Sequence, residues 1–72
     1  MSKNKIVYTN HAKQRMEERS ISVSQVEQVV YEYDYSVSSF DSRRIATKKI
    51  GNCTINVVYK AKKDTIIILT VY

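Results

Sequence analysis

The chain has 72 residues, 12 Lys/Arg against 7 Asp/Glu for a formal net charge of +5, one cysteine, one glycine and no proline. That length makes a single domain, residues 1–72, near the small end of what folds alone, where one core leaves only about 3–5 kcal/mol of net stability. Cys53 alone excludes an internal disulfide and a cysteine-based metal site, and the longest apolar run, IIIL at 66–69, is strand-sized and follows no leader-like start, so a cytoplasmic protein without metal, cofactor or membrane contact is expected.

In chain order, Lys5 to Tyr8 (KIVY) is a short β-prone piece. A helix follows, capped at Thr9 or Asn10, whose side chains can bond the free amides of a helix start, and it runs to about Arg19. In the next unit Ser22 and Gln25 have capping-box spacing, and Ile21 before the cap can pack on Val26 as a hydrophobic staple. Val23, Val26, Val30 and Tyr33 then recur at helical spacing as one apolar stripe, with Glu27 and Glu32 off it.

After Asp34 the composition turns to strands. A strand at Tyr35 to Phe40 is weakened by its serines. Residues 43–50 (RRIATKKI) and 53–60 (CTINVVYK) flank Gly51-Asn52, a two-residue hairpin signal in which the only glycine supplies a positive φ. Ile55, Val57 and Tyr59 share one face of the second of these strands, with Thr54, Asn56, Val58 and Lys60 on the other. A polar loop at Lys62 to Asp64 leads to TIIILTVY, whose two apolar faces suit an interior strand and whose alternation sets Ile68, Thr70 and Tyr72 on one side. The expectation is an α+β domain: two helices packed on an antiparallel β-meander of three to four strands, with KIVY as a short N-terminal strand.

On the first helix His11, Arg15 and Arg19 fall along one line with a drift of about 40° per step, beside the apolar line of Ala12 and Met16. Lys13 can pair with Glu17 and Gln14 with Glu18. Arg15 and Arg19 are like charges one turn apart, so Glu18, an acid of the second helix or a bound phosphate should compensate them. A neutral His11 imidazole could serve as a general base near pH 7. Lone histidines at helix starts are more often capping or packing residues, and no Ser or Asp stands at a readable triad spacing. Charge is segregated: residues 23–42 carry four acids and no base, and residues 43–63 seven bases and no acid. A basic surface draws polyanions, nucleic acid above all, although a solvated lysine-rich surface has the same composition. Of the six tyrosines, Tyr8, Tyr59 and Tyr72 look placed for a site, since rings beside bases can stack on unpaired nucleobases.

The pattern T-x-H-A-x-x-R-M-x-E-R-x-I-S, present as Thr9, His11, Ala12, Arg15, Met16, Glu18, Arg19, Ile21 and Ser22, resembles the small bacterial and archaeal domains grouped as domain of unknown function 4258. Arg43 or Arg44 on a strand, VVY at 57–59 and the ending ILTVY at 68–72 extend the likeness over nearly the whole chain. Ser20 departs from the glycine common in that family between the helices. The family in turn looks like compact toxin nucleases of the RelE, ParE and BrnT type, which implies a RelE-like fold, metal-independent RNA cleavage and a cognate antitoxin as partner. Such cleavage needs a base for the 2′-hydroxyl, a cation for the phosphorane charge and an acid for the leaving oxygen. On that resemblance His11 is assigned as general base or acid, Arg15 and Arg43 or Arg44 as transition-state cations, and Tyr72 or Tyr59 as the stacking or proton-donating residue. Arg19, Arg44, Lys48, Lys49, Tyr59, Lys60 and Lys62 would hold RNA. The alternative is a non-catalytic nucleic-acid-binding or protein-inhibiting module, and an exposed strand edge leaves a homodimer open.

Overall fold

A computed structural model describes residues 5–72 of the chain. The first four residues, most of the leading MSKNK segment, lie outside the described residues. The elements are β1 (Lys5–Tyr8), α1 (Asn10–Glu18), α2 (Val23–Glu32), β2 (Tyr35–Ser38), a short 3-10 turn at Phe40–Ser42, β3 (Arg43–Ile50), β4 (Cys53–Lys62) and β5 (Thr65–Val71). They form one sheet in the order β1-β5-β4-β3-β2, with α1 packed on β5 and α2 on β3 and β4. The domain is α+β with two helices and a five-stranded sheet.

The expected antiparallel meander is only part of that sheet. Strands β2 to β5 are antiparallel neighbours, but β1 lies parallel to β5, with Ile6 beside Ile66 and Tyr8 beside Ile68. KIVY is therefore a full member of a mixed sheet. It satisfies the outer edge of β5, whose amides would otherwise lie open beside an apolar strand. At the other edge β2 ends at Ser38 rather than Phe40, because the chain then turns through left-handed backbone at Asp41 (φ 64°) and Ser42 (φ 62°).

The helix ends follow local chemistry. Thr9 caps α1 by accepting from the Ala12 amide, and Ser22 and Gln25 form the reciprocal capping box of α2. Helix α1 closes in a Schellman arrangement: the Ile21 amide donates to the Met16 carbonyl at 2.8 Å and the Ser20 amide to Glu17 at 3.3 Å. Ser20 accordingly sits at φ 55°, in the left-handed region where glycine is at no disadvantage. The β3–β4 hairpin turns at Gly51-Asn52 with only Gly51 at positive φ (61°), the pattern of a type II′ turn.

The core lies between the helices and one face of the sheet, built from Ala12, Met16, Val26, Val29 and Val30 against Ala46, Ile55, Val57, Tyr59, Ile66, Ile68 and Val71. The α2 stripe is thus narrower than its periodicity suggested. Val23 is half exposed because it is the first helical residue, and Tyr33 because the backbone has already left the helix there (φ −60°, ψ 150°), while Val29 takes the inner position. A second correction concerns β5. Val58 pairs with Thr70 but Tyr59 with Ile68, so Leu69 is an extra residue, a β-bulge. One inserted residue reverses the facing of everything after it. Val71 joins Ile68 in the core, and Thr70 and Tyr72 go to the opposite face.

Candidate nucleic-acid interface

Residues paired directly across antiparallel strands share a face, and neighbours along a strand alternate. The register therefore sorts every strand residue between the helix-covered face and an open one. Arg44 pairs with Tyr59 and Lys48 with Ile55, on the covered face; Arg43 pairs with Lys60, on the open face. Lys49, Lys62 and Lys5 share the open face with them by the same rule. Five bases stand there and no acid, because each described carboxylate belongs to the helices, the loops or the position before β2.

Between the bases the open face is aromatic and apolar. One row runs Tyr35–Thr47–Asn56–Tyr72 across four strands, Tyr72 being held to Asn56 by backbone bonds of 2.8 and 2.9 Å in both directions. The next row is Val37–Ile45–Val58–Thr70. Tyr35 is 61% exposed and Tyr72 47%. Between them the Thr47 hydroxyl donates to Asn56 Oδ1 at 2.7 Å, and Asn56 Nδ2 donates to the Tyr72 carbonyl at 3.4 Å. This polar pair fixes the amide orientation at the centre of the face. Tyr35, Asn56 and Lys5 did not stand out as site residues in the sequence; pairing register, which composition does not carry, is what brings them together.

The covered face treats its candidates differently. Tyr59 is 6% exposed within the core; burial pushes its phenol above the ordinary 10.0, the Arg44 guanidinium opposite works against that, and Tyr33 adds an upward push. Lys48 is held by Asp34 at 3.7 Å, and Asp34 also accepts from the Lys49 amide at 3.0 Å. On α1, Glu18 draws both Arg15 (3.4 Å) and Gln14 (3.2 Å), so Arg15 is compensated within the helix. Lys13 and Glu17 form no ion pair, and Arg19 has no charged partner among the described residues. His11 is exposed near the start of α1, and its side chain makes no hydrogen bond among the described residues. Tyr8 stands on the covered face beside Ile68, within reach of Glu27 and Tyr31 of α2, and its buried hydroxyl has no hydrogen-bond partner among the described residues.

The residues assigned to catalysis are therefore spread over the molecule. His11 and Arg15 belong to the helical layer, Arg43 to the open face at the start of β3, and Tyr72 to the open face at the far end of β5. No hydrogen bond or ion pair joins any two of them. A cleft of about 190 Å³ opens where β5 ends, between the α1–α2 turn and the start of β4; it is lined by Arg19 and Tyr72 together with Ser20, Ile21, Gln25, Cys53, Thr54 and Ile55. A second hollow, of about 350 Å³, lies at the other end of the sheet beside Arg43, Arg44 and Ser38. Among the described residues no three His, Cys, Asp or Glu side chains gather as a metal set would require, and no helix is long and apolar enough to cross a membrane.

The family model for a domain of unknown function, DUF4258, matches residues 8–72, and the chain belongs to that family. No curated protein and no solved structure matches. The matched span begins at Tyr8, one residue before the cap of α1, and takes in all of the sheet but the first residues of β1.

Proposed function

We propose that this protein binds RNA through the open face of its sheet. The observation that carries the reading is the segregation of charge by register: five bases, no carboxylate and two exposed tyrosines on one uncovered surface. Such a face gathers phosphates by long-range attraction, and its rings offer flat partners for bases. The resemblance to compact toxin nucleases of the RelE, ParE and BrnT type supports RNA as the polyanion. Binding of a labelled RNA, followed by fluorescence anisotropy over a range of salt, tests it. Affinity should fall linearly in log–log terms with salt; absence of binding at low salt contradicts the reading.

A second reading, metal-independent cleavage by a toxin-type ribonuclease, is favoured by the cleft at the end of β5, which Arg19 and Tyr72 both line. In that reaction the 2′-hydroxyl loses its proton to a base and attacks the adjacent phosphorus. The P–O bond to the 5′-oxygen breaks, and that oxygen takes a proton, leaving a cyclic phosphate and a free 5′-hydroxyl. Arg19 would neutralise the phosphorane and Tyr72 would donate to the leaving oxygen. His11, the candidate base, does not line that cleft. Incubation with single-stranded RNA in chelator, beside the His11→Ala variant, separates the readings: cleavage by the parent alone makes the protein a ribonuclease with the histidine in its site, and intact RNA with both leaves a binding module.

A further inference from the structure

Resting on the reading of the open face as an RNA surface, we infer that it is built for an unpaired strand rather than a duplex, with Tyr35 and Tyr72 as two stacking positions on either side of the Thr47–Asn56 pair. The four residues form one transverse row. Three strand spacings separate the tyrosines, about 14 Å. In a duplex the base faces are covered by their neighbours and only the edges and backbone are presented, so an exposed ring has nothing to stack on. In a single strand the faces are free, and a base on each ring leaves the intervening nucleotides over the middle of the row.

The middle of the row suits that arrangement. Thr47 is only 5% exposed and is occupied with Asn56. The Asn56 amide, with one bond accepted from Thr47 and one donated to the Tyr72 carbonyl, retains a second acceptor site and a second donor. That pair can meet a base edge. Above and below the row the bases are placed for phosphates: Lys49 on the hairpin side, and Arg43 and Lys60 beyond the apolar row of Ile45 and Val58. A second copy of this chain is disfavoured as occupant, since two such faces would set like charges against each other.

The test measures affinity of the full chain for a short labelled oligouridylate and for an RNA duplex of equal length, at one salt concentration, for the parent, Tyr35→Ala, Tyr72→Ala and the two Tyr→Phe variants. Both tyrosines are exposed, so the variants should keep the parent's melting curve. The expected result is at least tenfold preference of the parent for the single strand, a loss of about tenfold in single-strand affinity for each alanine variant with duplex affinity unchanged, and near-parent binding for the phenylalanine variants, which keep the ring. Equal binding of the two RNAs, or equal losses on both, overturns the inference while leaving RNA binding in place. Binding of neither overturns the RNA reading and the inference with it.

Discussion

Arg43 and Arg44 are adjacent in the chain and stand on opposite faces of the sheet, Arg43 across from Lys60 on the open face and Arg44 across from Tyr59 on the helix-covered one. That division extends to all the strand bases. It separates a basic surface that has no acids from a face on which Arg44 stands across from Tyr59 and Lys48 is paired with Asp34.

The α1 terminus is tied to the bulge in β5. The Thr9 hydroxyl lies 3.0 Å from the Ile68 carbonyl and 3.1 Å from that of Leu69, while its oxygen also accepts from the Ala12 amide. Bulged residues lose ladder partners, and one hydroxyl here serves both the cap and the displaced carbonyls. Thr9→Val should destabilise the fold by about 1–2 kcal/mol, with Thr9→Ser close to the parent. Urea titration of the three proteins measures it.

Ser20 gives the opposite sign. Its φ of 55° costs a side-chain-bearing residue about 1 kcal/mol that glycine does not incur. Ser20→Gly should therefore raise the melting temperature by about 4–8 °C.

Alkaline pH should weaken the fold. Tyr8 and Tyr59 both have phenols raised above 10.0, Tyr8 by burial first, then by Glu27 and Tyr31. A raised folded value means that the unfolded chain releases these protons first, so stability is intact below pH 10.0 and is lost as pH climbs beyond it. Tyr8→Phe removes one such group together with a buried hydroxyl that has no partner among the described residues. It should be at least as stable as the parent at pH 7 and show a shallower decline above pH 10, read from melts across that range.

Much of this fold was legible in the sequence, and the reasons are local. Capping residues at Thr9 and Ser22, the Gly51-Asn52 turn and the alternation of Ile55, Val57 and Tyr59 act over a few residues, and each appears where it was expected. What escaped is set by long-range pairing. The parallel partnership of β1 with β5 joins the two ends of the chain, and no local signal announces it. The Leu69 bulge reverses Thr70 and Tyr72 with no glycine to mark it. The site suffered most, because the choice between Arg43 and Arg44 is a matter of register, and the His11–Arg15–Arg19 line, visible as a helical stripe, turns out to share no face with Arg43.

On the reading proposed above, the open face, and not basic charge at large, holds RNA. The most direct test compares Arg43→Gln/Lys60→Gln with Arg44→Gln/Lys48→Gln, two variants of equal net charge, in anisotropy titrations with single-stranded RNA across salt. The open-face variant should bind more weakly and lose about 1.4 from its salt slope, at roughly 0.7 for each phosphate contact, while the covered-face variant keeps the parent slope. Equal losses in the two variants would contradict the claim.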